Sequence, residues 1–215
     1  MHASITLSGL SYSTADGHTL FKDISAVFNG GLTGFVGRNG VGKTTLLKLI
    51  SGVLPPSSGN VDVTGRIAVL DQAVSAGEGE TLATLFGIED MLAVIASAER
   101  GEADAEALAA IDWTAAERAV ATLARFDLAV PLSTPLTRLS GGEITRARLA
   151  ALAFDAPDFV LLDEPTNNLD APGREALVRF LRDFRGGALV VSHDRALLEH
   201  MDSIIELTSL GMTRY

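Results

Sequence analysis

The clearest chemistry in the chain lies between positions 37 and 44, which read Gly37-Arg38-Asn39-Gly40-Val41-Gly42-Lys43-Thr44. The spacing matches G-x-x-x-x-G-K-[ST], a loop that wraps a polyphosphate. Each residue type has a physical reason. Gly37, Gly40 and Gly42 let the backbone turn tightly and approach phosphate oxygens. Successive amide N–H groups then face one concavity and hold an anion. A helix expected from Lys43 to about Ser51 adds the positive end of its dipole. Lys43 sets a cation on the β- and γ-phosphates, and Thr44 offers a hydroxyl to Mg²⁺. Leu32 to Val36 read as the strand feeding the loop, and Gly52 as the helix stop. The loop alone does not choose among nucleoside triphosphates.

A second source of chemistry is a pair of carboxylates. Asp158 to Leu162 form an apolar run that ends in Asp163-Glu164. Such a run reads as a buried parallel strand that delivers both carboxylates at its C-terminal end. One carboxylate there suits Mg²⁺, and the other suits orienting and deprotonating an attacking water. Ala188 to Val191 read as another buried strand, which ends in Ser192-His193-Asp194. His193 would thus lie on the ligand side of the sheet, where an imidazole reaches a γ-phosphate. Gln72 follows a third short apolar strand, Ile67 to Leu70, in the same kind of position. Ser140-Gly141-Gly142-Glu143 open a helix that runs to about Phe154. They read either as a loop-to-helix turn or as a second anion-binding helix end.

These residues must be positioned by the rest of the chain. Ile5 to Leu7, Leu20-Phe21 and Ile24 to Phe28 read as strands of an antiparallel layer, with a turn at Asn29-Gly30-Gly31. Tyr12 in that layer is either half-buried packing or a platform for a base. Asn60 to Val63 are another short strand. From Ala76 to about Pro135 the composition turns to Ala, Glu and Leu, and Leu82–Ile95, Ala103–Ile111 and Thr114–Phe126 are expected helices. Asp112 or Thr114 would cap the last of them, and Trp113 is expected to pack inside this segment. Arg174 to Phe184 read as a helix and Ser203 to Leu207 as the last strand. The fold class is α/β, a mainly parallel sheet with flanking helices, an antiparallel β subdomain and an inserted helical subdomain. All 215 residues form one domain. Residues up to about 75 and from about 155 make the β and sheet core, and those from about 76 to 154 the helical part.

Composition sets limits on these readings. A hydrophobic fraction of 47% suffices for a buried core. No apolar run is long enough to span a bilayer, and the N-terminus has no signal-peptide pattern. With no cysteine there is no disulfide framework or thiolate metal site, which suits a cytoplasmic protein. A net charge of −10 argues against a broad nucleic-acid clamp, which needs clustered Lys and Arg.

The ordered set of Gly37 to Thr44, Gln72, Leu139 to Glu143, Phe159 to Glu164, Asp170 and His193 resembles the ATP-binding cassette superfamily over nearly the whole chain. The resemblance implies a P-loop ATPase core that needs ATP and Mg²⁺. Tyr12 would stack on adenine. Gly37, Arg38, Asn39, Gly40, Val41, Gly42, Lys43, Thr44 and Thr45 would hold the nucleotide. Asp163, Thr44 and Gln72 would serve the metal, and Glu164, His193 and Gln72 the catalysis. Ser140, Gly141, Gly142 and Glu143 would be the signature motif, which reaches a nucleotide held by a second cassette, and Asp170 would be the D-loop aspartate. Two cassettes, in one chain or as a homodimer, would close head to tail on two nucleotides.

A narrower resemblance is carried by Glu164-Pro165-Thr166-Asn167-Asn168-Leu169-Asp170, by Ser192-His193-Asp194-Arg195 and by Glu143 with Arg146. It is to the ABC-F class, which is soluble, has two cassettes per chain and includes ribosome-binding translation factors and antibiotic-resistance proteins. The expectation is an isolated N-terminal cassette of a longer protein whose partner is the ribosome. The alternative is the nucleotide-binding subunit of a membrane transporter, with a partner's coupling helix docked near Gln72. A third reading is a nucleotide-dependent switch with negligible turnover by itself.

Overall fold

The computed structural model describes residues 3–70, 77, 79–102, 104–109, 111–167, 169–208 and 211–215. The expectations placed on Gln72 and Asn168 therefore lie outside the described residues. In chain order the elements begin with β1 (Ser4–Ser13), β2 (Thr19–Phe28), β3 (Gly31–Gly37), α1 (Lys43–Ile50), β4 (Ser58–Thr64) and β5 (Ile67–Leu70). Then come α2 (Leu82–Leu85), α3 (Glu89–Glu99), α4 (Ala105–Ala109), α5 (Ala115–Arg125) and α6 (Gly141–Asp155). The chain closes with β6 (Phe159–Asp163), α7 (Ala171–Asp183), β7 (Gly187–Val191), α8 (Arg195–Leu198), β8 (Ser203–Thr208) and β9 (Gly211–Arg214). It divides into two units. One comprises Met1–Gln72, Pro157–Asn167 and Val178–Tyr215, and the other Ala73–Ala156 and Asn168–Leu177.

The first unit holds two sheets. Among the described residues the smaller is antiparallel in the order β2-β1-β4, and the larger runs β5-β6-β7-β3-β8-β9. The alternation in β1 and β2 is weak in sequence because each strand changes phase. Ile5 and Leu7 point to the core, and the register then shifts so that Leu10 does. Gly9 sits at the shift with φ 59°. Asp23, with φ 54°, makes the same change in β2 between buried Phe21 and buried Ile24. These irregularities are β-bulges, and they bend the ribbon.

The parallel strands β6 and β7 are buried at every residue, as strands covered on both faces must be. Their registers place the working ends side by side. Asp163 pairs with Val191, and Val191 pairs with Phe35 two residues before Gly37. The turns that follow β6, β7 and β3 therefore leave the sheet at one edge, where open α/β sheets hold ligands. Phe28, Phe35, Leu46, Phe159, Leu161 and Leu189 pack into one cluster beneath that edge.

The sequence places the last strand at Ser203 to Leu207, and the structure adds β9. It pairs antiparallel to β8, from Ile205↔Arg214 to Thr208↔Gly211. Its four residues, Gly-Met-Thr-Arg, carry too little apolar pattern to announce a strand. The neighbouring strand supplies the order.

The second unit is helical among its described residues. The expected helix Leu82–Ile95 is two helices, because Gly87 takes φ 65° and Ile88 restarts the chain as the N-cap of α3. The helix expected from Ala103 to Ile111 is shorter, Ala105–Ala109. Trp113 does not pack inside; it is 54% exposed. The buried stripe of α5 is Ala115, Ala119 and Leu123. Trp113 stands in the turn before the N-cap Thr114, outside α5 and its buried stripe. The Asp112 carboxylate fixes this turn by accepting from Thr114 N–H at 3.0 Å and from the Arg118 guanidinium. Thr114 is the N-cap without a side-chain cap bond. The unit packs on Leu82, Leu123, Leu136 and Leu149, with Phe86 and Phe154 tilted against each other at 5.3 Å. Among the described residues no helix is long and apolar enough to cross a membrane.

Candidate nucleotide site

The P-loop leaves β3 at Gly37 and re-enters regular structure at Lys43. Gly40 and Gly42 have φ 80° and 106°. Gly42 is the N-cap of α1, and a Cβ there would lie 2.5 Å from Cε1 of Phe21, so both its conformation and its neighbour require glycine. The α1 ladder starts with Leu46 N–H on the Gly42 carbonyl at 2.8 Å. It ends as expected, with Ser51 as the C-cap and Gly52 at φ 75°. Lys43 is only 8% exposed. Its ammonium donates to the carbonyls of Gly37 at 2.8 Å and Arg38 at 3.2 Å, which gives a buried cation partners that a phosphate can replace.

Around the loop is a pocket of about 450 Å³ lined by Leu20, Asn39, Gly40, Gly42, Lys43, Thr44, Thr45, Asp163, Glu164, Asn167, Val191 and His193. Its size falls in the range of small-molecule sites. Asp163 ends β6 and is 3% exposed. Glu164 follows it with φ 47°, and its N–H donates to the Val191 carbonyl at 2.9 Å. A left-handed glutamate is uncommon. Here the bond to β7 holds it, and the turn closes with Asn167 N–H on the Glu164 carbonyl at 3.0 Å.

The turn after β7 is fixed as well. Asp194 N–H donates to Ser192 Oγ at 3.1 Å, and the Asp194 carboxylate caps α8 by accepting from Ala196 N–H at 3.0 Å. His193 is thereby held over the loop, with Nε2 3.1 Å from Asn39 Oδ1 and 3.3 Å from Glu164 Oε1.

The structure thus brings Asn39, Gly40, Gly42, Lys43, Thr44, Thr45, Asp163, Glu164 and His193 to one cavity. Arg38 takes part through its carbonyl, and Val41 N–H donates back to that carbonyl at 3.3 Å. Tyr12 is half-buried against Phe21, with ring centroids 6.4 Å apart, and Leu20 rather than Tyr12 lines the pocket. Sequence reasoning misses Leu20 and Val191 as wall residues. Both are apolar, and only the fold brings them there. For Mg²⁺ the donor set fits: the Thr44 hydroxyl and the Asp163 carboxylate are hard oxygens, and Mg²⁺ is commonly held by one or two carboxylates together with substrate phosphates.

Ser140 to Glu143 and Asp170 belong to the helical unit. Ser140 is the N-cap of α6 in a reciprocal capping box. Its N–H and Oγ–H donate to Glu143 Oε2 at 2.8 and 2.7 Å, and Glu143 N–H donates to Ser140 Oγ at 3.3 Å. The two bonds from Ser140 hold the Glu143 carboxyl below the usual glutamate range. Asp170 accepts from Gly173 N–H at 2.9 Å and so starts α7.

Comparison with known proteins agrees with this geometry. The sequence model of the ABC transporter family matches residues 21–167. The ribosome protection protein VmlR of Bacillus subtilis is 34% identical over 200 residues, which cover 93% of this chain and 30% of that protein. The energy-dependent translational throttle protein EttA of Mycobacterium tuberculosis is 34% identical over 187 residues, covering 86% of this chain and 31% of that protein. The chain therefore spans about a third of the length of these relatives. In fold it matches the ATP-binding cassette MJ0796, solved as a post-hydrolysis dimer bound to ADP and Pi. The TM-score is 0.74 at 21% identity over 98% of this chain and 97% of that one. A P-loop, a buried aspartate and a strand-end glutamate and histidine around one cavity are thus joined to a family match over most of the sequence, and the chain belongs to the ABC transporter family.

Proposed function

We propose that the chain is an ATP-hydrolysing cassette of an ABC-F protein acting on the ribosome, the first of two cassettes in a longer, cytoplasmic protein. The observation that carries the ATPase part is the meeting of Lys43, Asp163, Glu164 and His193 in one pocket. In this reading the amides of residues 39 to 45 and the Lys43 ammonium bind the phosphates. Thr44 and Asp163 would hold Mg²⁺. Bound Mg²⁺ would neutralise charge on the phosphate oxygens. Glu164 orients the attacking water and takes its proton, and His193 donates a hydrogen bond to the γ-phosphate. Tyr12 stacks on the base.

The second half of the site comes from another cassette. Ser140 to Glu143 sit at a helix N-terminus suited to an anion, and in this reading they meet a nucleotide bound by the partner cassette, with Asp170 at the joint. Support comes from the likeness in fold to a dimeric cassette. The ribosomal part is supported by the 34% identity to VmlR and EttA and by the Glu164 to Asp170 sequence.

The test is co-sedimentation with ribosomes of the full-length protein carrying Glu164→Gln, in ATP and in ADP. Retention in ATP alone is expected. Absence from ribosomes in both states, with recovery in the membrane fraction, would replace this reading with that of a transporter subunit.

A further inference from the structure

Asn39 stands at the third position of the P-loop. Its Oδ1 lies 3.1 Å from His193 Nε2, a residue 154 positions further along the chain. The same nitrogen lies 3.3 Å from Glu164 Oε1. Three turns, after β3, β6 and β7, therefore converge on one ring nitrogen.

The chemistry of the two neighbours fixes the state of that nitrogen. A carboxylate only accepts, so Nε2 must carry a proton to face it. Asn39 can then meet Nε2–H only through its oxygen. The reverse amide orientation would need an Nε2 lone pair, and that lone pair would confront the Glu164 carboxylate. The two contacts thus agree on a single arrangement: Nε2–H donates to both oxygens, and in the neutral ring Nδ1 holds the lone pair.

We infer that Asn39 is a positioning residue for His193: its side-chain oxygen, with Glu164, holds the imidazole as the Nε2–H tautomer over the P-loop before nucleotide arrives. His193 is 51% exposed on its side chain, so packing alone leaves the ring free to turn. Glu164 is itself held, by its N–H on Val191, but a single 3.3 Å contact does not define the plane of a ring. The oxygen of Asn39 supplies the second point. The donor is then already aimed into the pocket, and orientation fixed before the reaction lowers its barrier. This deepens the ATPase reading and in its kinetic part rests on it.

The test separates the two. Imidazole ¹⁵N resonances are recorded on the nucleotide-free chain at about pH 8, above the ordinary histidine range, and His193 is assigned by its loss in His193→Gln. The parent is expected to show a pyrrole-type Nε2 and a pyridine-type Nδ1. Asn39→Ala should move both shifts toward the averaged values of free imidazole. Asn39→Asp keeps an oxygen acceptor and should keep the parent pattern. Unmoved shifts in Asn39→Ala, or an Asn39→Asp variant that behaves like Asn39→Ala, would overturn the inference. Neither result depends on ATP turnover. In the ATPase assay, Asn39→Ala should lower kcat about 3- to 10-fold, the size of one neutral hydrogen bond. If the resonances shift as expected and no variant or parent turns over ATP, the positioning role stands and the ATPase reading falls.

Discussion

The Lys43 ammonium donates to the Gly37 carbonyl at 2.8 Å, so the cation of the P-loop is folded back on the first glycine of the same loop. In the proposed role, phosphate oxygens take the place of that carbonyl and of the Arg38 carbonyl when nucleotide binds. The exchange is favourable because a charged acceptor binds an ammonium more strongly than a neutral one. Lys43→Met should therefore weaken ATP binding by roughly 10- to 100-fold, about 1.5–3 kcal/mol. Titration with a fluorescent ATP analogue measures this. An unchanged Kd would remove Lys43 from the phosphate site.

Glu164 faces the pocket at the end of β6 with its side chain 14% exposed. Glutamine has the same shape and cannot take a proton. Glu164→Gln should keep ATP affinity within about twofold while slowing hydrolysis by about 10²–10⁴, the usual contribution of a positioned base. The bound, unhydrolysed nucleotide should then favour paired cassettes, visible as a faster-sedimenting species in ATP. A variant that hydrolyses like the parent would mean that another group activates the water.

Helix α6 depends on a carboxylate at its N-terminus. Ser140 donates twice to Glu143, and these bonds depress the Glu143 carboxyl. A depressed folded value adds stability that is present above the ordinary glutamate value of 4.5 and is lost as pH falls below it toward the folded value. Glu143→Gln should thus be less stable than the parent at neutral pH, and the gap should close on acidification below about pH 4.5. Thermal melts of both proteins across that interval decide the matter. A gap that stays constant to lower pH would show that the charge of Glu143 adds nothing to the cap.

Local signals are the ones the sequence displays. The P-loop and its strand and helix are contiguous, so spacing alone places Lys43 and Thr44. The β6 and β7 runs are apolar throughout, which is how a strand buried on both faces reads, and so Asp163, Glu164 and His193 are legible at their ends. What escapes notice depends on distant partners or on single backbone torsions. The phase changes at Gly9 and Asp23 hide the length of β1 and β2. Gly87 splits a helix that periodicity joins. Strand β9 exists through its pairing with β8. Leu20 enters the pocket wall only because β2 passes beside the loop. Trp113 reads as a large apolar residue for the interior, but it stands in the turn before α5 and is exposed.

Gly187 begins β7 and pairs with Phe159 on β6. A Cβ on Gly187 would stand 2.1 Å from Cε2 of Phe159 and 3.0 Å from the Asn29 carbonyl oxygen. The missing side chain is the space in which the Phe159 ring lies, and that ring belongs to the cluster beneath the site. Gly187→Ala should therefore overpack this layer and cost about 1–3 kcal/mol. Phe159→Leu alone should also destabilise, since it removes ring atoms from a tight core. Combined, the two should cost less than their sum by at least about 0.5 kcal/mol, because the smaller side chain vacates the volume the new methyl needs. Urea unfolding of the four proteins closes the cycle. Strict additivity would mean that the methyl added by Gly187→Ala is accommodated elsewhere and that the glycine does not serve the Phe159 ring.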